Sequence, residues 1–327
     1  MTNGNGQSRD HVEVLDVNFR PVIDVPPPAP RKRPLWPALI LFLLTVISTL
    51  AVGSEFAASY AHGEQPFSQV ENYWQMFVAP LTEPRLLLLG VPFSLTLMTI
   101  LLAHELGHYF ACKIYGIDVS YPYFIPAPTL FGTFGAFIRI RSPFTSRRAL
   151  FDVGIAGPVV GFIFTIPAMA YAVATSKFVP DAQESQGILF GTPPLVRVFN
   201  WIFHPGVDPS WLLLNPVGRA AWVGLLATAL NLLPAWQLDG GHIVYSLASE
   251  RHRKISLAAS LILLAMGIYM WHGWALWGMV LLVLSLRFRH PPLLDRWEPL
   301  TPSRRMWAVV ALAIFILSFT PWPASNP

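Results

Sequence analysis

Seven apolar runs, separated by polar, proline-rich or basic stretches, give the chain its pattern: about 35–52, 86–112, 149–174, 217–249, 255–269, 274–286 and 307–319. A helix needs roughly 20 apolar residues to cross a bilayer. The pattern therefore predicts an all-α polytopic membrane protein with about seven transmembrane helices. Pro234 and Asp239-Gly-Gly241 interrupt the fourth run, and the fifth and sixth are short and nearly touch. Residues 1–34 are polar and then proline-rich, ending Val25-Pro-Pro-Pro-Ala-Pro-Arg-Lys-Arg-Pro34. Consecutive prolines exclude a helix and favour an extended chain. The expected organisation is a disordered cytoplasmic tail, 1–34, followed by one membrane domain, 35–322, with its core at 86–250.

Three stretches break the helical pattern. Residues 54–84 read as a polar loop whose Tyr60, Phe67, Tyr73, Trp74 and Phe77 suit a bilayer interface. Residues 177–216 carry Trp201, Phe203 and Trp211, which suggests a helix resting on the surface. Between 117 and 148, Pro122, Pro126, Pro128, Gly132, Gly135 and Pro143 are interleaved with aromatic and β-branched residues. Within it, Gly132-Thr-Phe-Gly-Ala-Phe-Ile-Arg-Ile140 alternates like a short strand or hairpin. Irregular backbone at membrane depth is tolerated only when buried in protein or lining a wet cavity. A re-entrant or strand-like element beside a functional site is therefore expected.

Composition sharpens this picture. Of 327 residues, 54% are hydrophobic and 12% charged, and the mean hydropathy is +0.49. Soluble domains carry about 25% charged residues, so a lipid bilayer is the expected surrounding. The net charge of +4 is too modest to mark a nucleic-acid binder, and no nucleic-acid partner is expected. Basic residues cluster at Arg31-Lys-Arg33, Lys113, Arg139 to Arg148, Arg251 to Lys254 and Arg287 to Arg289. By the positive-inside rule these put the N-terminus and the loops after the second, fourth and sixth runs on the cytoplasmic side, and residues 177–216 and the C-terminus outside. No cleavable signal or transit peptide is evident, because the first apolar run begins near Leu35. The expectation leans to a bacterial plasma membrane. The single cysteine, Cys112, rules out a disulfide framework and a Cys-type zinc site, and reads as a packing residue.

Candidate chemistry concentrates in Leu101-Leu-Ala-His-Glu-Leu-Gly-His108. His104 and His108 are one helical turn apart on one face. Neutral imidazoles so placed can hold Zn²⁺, and Glu105 between them can serve as a general base. Ionisable groups inside such an apolar run are costly and are expected to face the protein interior and act there. Catalytic zinc needs a third protein ligand and an open position. The candidate is Asp239 in Asn231-Leu-Leu-Pro-Ala-Trp-Gln-Leu-Asp-Gly-Gly-His242. Pro234 and the glycine pair break the helix there and free a carboxylate to turn inward. The competing reading is that Asp239 merely caps the next helix. His242 reads either as a contact behind the ligands or as packing. Asp152 reads as a helix-terminus charge, His204, His252, His272 and His290 as interfacial or solvated, and Glu55, Glu64 and Glu71 as solvated.

His104-Glu-Leu-Gly-His108, followed by Asn231-x-x-Pro234 and Leu238-Asp-Gly240, resembles the site-2 protease family of intramembrane zinc metalloproteases. Phe131-Gly-Thr-Phe-Gly-Ala-Phe-Ile-Arg139 and Asp152-Val-Gly-Ile-Ala-Gly-Pro-Val-Val-Gly161 look most like its chloroplast and cyanobacterial branch. The resemblance covers about Ser94–Ser249. It implies His104, His108 and Asp239 as zinc ligands, Glu105 as the catalytic carboxylate, and Asn231 as a substrate or oxyanion contact. Many members carry Asn after the Gly-Pro pair of the third run, where this chain reads Val-Val-Gly161; no inserted PDZ-like domain is apparent. The implied activity is cleavage of a single-span transmembrane protein whose helix unwinds against the strand-like stretch 132–140. The alternative class is a metal or proton transporter using the same His and Asp residues.

Overall fold

The computed structural model describes residues 34–68, 74–180, 187–291, 293, 295 and 299–325. The expected tail, its basic cluster and Tyr73 lie outside the described residues. Helices follow the apolar runs, but their ends are set by local chemistry. Helix α1 is Trp36–His62 and stops where Gly63 takes a left-handed conformation with φ 76°. Helix α2 is Gln75–Thr82 and α3 is Arg85–Leu89. Gly90 separates α3 from α4, Val91–Ile114, which opens with a proline in its first turn. Helix α5, Arg147–Thr175, begins where Ser146 accepts a hydrogen bond from the Ala149 amide. Helix α6 is Pro194–Phe203, with Trp201 exposed. Helix α7, Pro216–Asn231, is capped by Asn215, whose side chain accepts from the Gly218 amide. Helices α8, Asp239–Ala248, α9, His252–Tyr269, α10, His272–Arg287, and α11, Pro302–Ser318, complete the set.

The long polar loop expected at 54–84 is largely helical. Apolar and small residues continue through Ala57-Ala58 and keep α1 going another ten residues past Val52, so Tyr60 sits on a helix, and α2 carries Phe77. The chain is also not purely helical. Strand β1, Tyr123–Pro126, pairs antiparallel with β2, Thr133–Phe137, opposing Tyr123 to Phe137 and Phe124 to Ala136. A bridge between Val119 and Ile140 extends this ribbon. Two-residue strands β3, Lys177–Phe178, and β5, Leu212–Leu213, form a second pair; β4, Leu189–Phe190, and β6, Ala324–Ser325, form a third. In the first pair, β2 lies where the sequence alternates. The other two tie loop segments together, and nothing in their composition marked them.

Among the described residues, two helices, α1 and α5, are long and apolar enough to cross a membrane; α10 is a shorter apolar helix. The other described helices are too short or carry polar and charged residues, as α4 does at His104, Glu105 and His108.

Helices α4, α5 and α7 pack against one another, with α8 on α5. Phe93, Leu97, Phe151, Met169, Trp222 and Leu225 fill their shared core and are almost fully buried. Small residues bring α4 and α5 close: a methyl group on Gly107 would fall 2.6 Å from the Ala156 carbonyl oxygen. Helix α1 supports the ribbon. Phe42 meets Phe124 edge to face at 5.1 Å, and the Ser48 hydroxyl donates to the Gly132 carbonyl at 2.6 Å. Gly132 takes φ 75° and sits so near the α1 backbone that any side chain would clash with Ser48.

Asp152, expected as a helix-terminus charge, instead ties three elements. Arg304 of α11 donates to it through Nε at 2.9 Å and Nη2 at 2.7 Å, and the Tyr115 hydroxyl beyond α4 donates to Oδ2. The hydrogen bonds to Asp152 push the Arg304 guanidinium pKa further up, and burial raises the Tyr115 phenol. Both groups stay protonated, as this network requires.

Candidate metal centre

Helix α4 presents His104 and His108 on one face, their ring centroids 4.9 Å apart and steeply inclined at 73°. Both rings are buried. The backbone bends after Asn231 and restarts as α8 at Asp239, which brings the carboxylate back to α4. The turn between them is held tightly. Trp236 adopts φ 48°, an uncommon backbone for a bulky residue. Its amide donates to Ser256 Oγ at 3.1 Å, and its carbonyl accepts from His252 Nε2 at 3.1 Å. Gly240 and Gly241 press on the same turn: a methyl group on Gly240 would meet the Leu232 carbonyl oxygen at 2.1 Å. The glycine pair is thus required by close approach, and the turn delivers Asp239 to the imidazoles.

Asp239 Oδ2 lies 3.3 Å from His104 Nε2 and 3.2 Å from His108 Nε2, and the two nitrogens are 3.1 Å apart. Ligands on a tetrahedral zinc with bonds of about 2.0–2.1 Å stand about 3.3 Å from one another. The three atoms therefore match one triangular face of such a site, and they are the only metal-capable group of three among the described residues. Two further observations fit a cation here. Asp239 Oδ2 is buried yet has no hydrogen-bond partner, a costly state for a carboxylate oxygen unless a cation meets it. His108 Nδ1 is 2.7 Å from the Val153 carbonyl oxygen. It must donate there, which leaves the Nε2 lone pair facing the other two ligands. The competing view of Asp239 as a simple helix cap loses ground, since its carboxylate points across to α4.

Glu105 is buried beside this triangle and outside it, in a cavity that Ile138, just after β2, also lines. Asn231 Nδ2 lies 3.2 Å from His104 Nε2, so the residue expected near the site is there. All five candidates line one cavity of about 180 Å³. Ala136, Phe137, Ile138 and Ile140 form its opposite wall, so the strand-like stretch borders the site.

Several contributors escaped sequence reasoning. Gly157 and Gly161 of α5 make room for the rings: a methyl group on Gly157 would fall 2.1 Å from His108 Nε2, and one on Gly161 would fall 3.1 Å from His104 Cβ. The signal was present in Gly157-Pro-Val-Val-Gly161, whose spacing of four puts both glycines on one helical face. His242 lines the cavity and its Nδ1 is 2.9 Å from His290 Nε2. His252 and His290, expected to be solvated or interfacial, are instead packed. His252 is 5% exposed, and His290 stacks on Tyr245 at 3.9 Å. Aromatic neighbours and the Trp236 carbonyl gave these imidazoles partners that a linear pattern does not reveal.

The peptidase family M50 model matches residues 92–272, which span the whole of this constellation. The chain is 30% identical over 311 residues to "Probable zinc metalloprotease EGY1, chloroplastic" of Arabidopsis thaliana, covering 89% of this chain and 54% of that protein. It is 27% identical over 306 residues to the Oryza sativa subsp. japonica EGY1, covering 89% and 52%. It is 31% identical over 247 residues to the Arabidopsis thaliana EGY2, covering 72% and 42%. The chain thus spans about half the length of the relatives it matches. With the matched region enclosing both arms of the His104–His108–Asp239 triangle, the chain belongs to peptidase family M50, the site-2 proteases, in the branch of the chloroplastic EGY zinc metalloproteases.

Proposed function

We propose that the protein is an intramembrane zinc endopeptidase. It hydrolyses a peptide bond in or near the transmembrane segment of a single-span protein substrate. The observation that carries this reading is the meeting of His104 Nε2, His108 Nε2 and Asp239 Oδ2 beside a separate carboxylate, Glu105, in a cavity bordered by backbone strand. Metal binding alone gives no role to Glu105, a buried acid outside the ligand triangle.

A bound Zn²⁺ would supply a Lewis acid, lowering the pKa of water toward neutrality and stabilising developing negative charge on oxygen. His104, His108 and Asp239 would hold it, and the Val153 carbonyl keeps the His108 ring oriented. Glu105 accepts the proton of the attacking water at its carboxylate and returns it to the nitrogen of the departing amine. Asn231, 3.2 Å from His104 Nε2, offers an amide donor to the substrate or its oxyanion.

A transmembrane helix hides its peptide bonds in internal hydrogen bonds and must unwind before it is cut. Strand β2 and the residues that follow it border the cavity and suit edge pairing with an unwound segment. The basic clusters support seven spans within a membrane domain of 35–322, with the site toward the cytoplasmic side. The expectation of a bacterial plasma membrane comes from the sequence reading alone, and the chloroplastic names belong to the plant relatives. A transporter would need polar groups distributed through both leaflets, whereas the ligands here gather in one cavity.

The test is Glu105→Gln in membranes carrying a tagged single-span substrate. Zinc content unchanged with cleavage abolished supports the protease. Zinc flux into sealed vesicles, with no cleavage by the native chain, would establish the transporter.

A further inference from the structure

Among the described residues Arg219 is the only buried arginine or lysine, 5% exposed. It sits in the first turn of α7. Helical rise sets it about 18 Å from Asn231 at the other end, away from the metal centre. Its guanidinium lies over Phe190 of β4, with Cζ 4.9 Å from the ring centroid. Nη2 donates to Gln65 Oε1 at 3.3 Å. Among the described residues Nε and Nη1 have no hydrogen-bond partner, and no carboxylate oxygen lies within 4.0 Å of the group. Neither nitrogen is among the unpartnered side-chain atoms that lack accessible surface, so both keep some. The opening that Arg219 borders is a cavity of about 20 Å³, walled also by Phe190, Thr192, Leu212 and Trp222. No acidic side chain lines it among the described residues. The wall is braced from outside: β4 pairs with β6, and Trp222 Nε1 donates to the Gly191 carbonyl at 2.7 Å.

A buried charge is costly unless it is paired, and a guanidinium cannot escape by losing its proton. The ring face of Phe190 and one amide oxygen offset part of that cost, but neither carries a full negative charge. The position adds to the need. The first turn of a helix is its positive end, where an acid is favoured and a cation is not. We propose that this cavity binds a small monovalent anion of the size of chloride. Such an ion would accept charge-assisted hydrogen bonds from Nε and Nη1 and neutralise the guanidinium. Size selects the class of ligand. The cavity has room for about one water-sized sphere, too little for a phosphate or for a molecule bearing a carboxylate. A water there would serve the two donors and leave the charge uncompensated.

The experiment uses the full chain in phosphatidylcholine nanodiscs, with no protein substrate, so its outcome is separate from that of the cleavage assay. Sodium gluconate, whose anion exceeds the cavity, is exchanged for sodium chloride at constant ionic strength, and thermal stability is read. The expected result is a saturable rise in Tm of roughly 3–5 °C with chloride. Arg219→Gln should abolish that rise. Arg253→Gln removes the same charge from an exposed position on α9 and should keep it in full. Crystals of the native chain grown in bromide read the site without relying on a variant to fold: anomalous scattering should place one bromide beside Nε and Nη1 of Arg219. Three results overturn the proposal. They are a Tm indifferent to chloride, a rise of equal size in Arg219→Gln, and bromide-grown crystals with water alone beside the guanidinium.

Discussion

The imidazole of His108 occupies the space that a side chain on Gly157 would fill, since a methyl group there would stand 2.1 Å from Nε2. Helix α5 is therefore part of the metal centre without donating a ligand. Its glycine face lets α4 approach closely enough for the Val153 carbonyl to hold the ring from behind. Gly157→Ala should displace His108 and lower zinc affinity at least tenfold, comparable to losing an outer partner of a metal ligand. Gly161→Ala, with a 3.1 Å approach to His104, should have a smaller effect. Zinc titration of both purified variants checks the order.

Asp239 closes the triangle from a different segment, so its removal should cost metal but spare the fold of α4. Asp239→Ala should bind zinc at least a hundredfold more weakly, while Asp239→Asn retains an oxygen donor and falls between. Chelation of the native protein should lower Tm, and zinc should restore it. Saturation at a hundredfold excess over Kd corresponds to about 2.7 kcal/mol. A Tm indifferent to chelator in a zinc-loaded sample would contradict the site.

Ile138, just after β2, lines the cavity that also holds Glu105. Ile138→Pro removes a backbone amide from that wall, whereas Ile138→Ala keeps it. Cleavage assays should show Ile138→Pro losing kcat by roughly tenfold or more, the scale of a misplaced general base, with zinc content intact. Ile138→Ala should stay close to native activity.

The Arg304–Asp152 pair is bidentate and partly shielded, with side chains 22% and 29% exposed. It anchors α11 to α5. Arg304→Gln should destabilise the protein by about 1.5–3 kcal/mol, the range for hydrogen bonds to charged groups, read as a lowered denaturation midpoint. Asp152→Asn should behave similarly, and the double variant should cost less than the sum.

His290 faces His242, His252, Tyr245 and Arg289, and burial pulls its pKa down to about 4. The unfolded imidazole titrates near 6.5. Between these values the unfolded chain binds more protons, so stability is full above about pH 6.5 and declines as pH falls toward 4. His290→Phe should flatten that part of the profile in thermal denaturation across the same interval.

Legibility followed range along the chain. His104, Glu105 and His108 were readable because four-residue spacing on a helix fixes their geometry locally. The ribbon at 123–137 was half readable: alternation marked β2, but its partner β1 is only four residues long and contains proline. Strands β3 to β6 were not readable, because two-residue pairings depend on which loops meet. Interfacial roles assigned to His252 and His290 failed for the same reason, since their partners come from the α7–α8 turn and from Tyr245.

By itself the sequence determined the apolar runs, the imidazole pair with its acid, and the helix break at Pro234 and Gly240-Gly241. Each depends on neighbours within a few residues. Only the tertiary structure decided that Asp239 turns to α4 instead of capping its own helix, that Gly157 and Gly161 make room for the rings, and that the strand wall faces Glu105. Those outcomes depend on close approach between segments far apart in the chain, as with Asp239 and His104, and residue order alone carries no distance across that span.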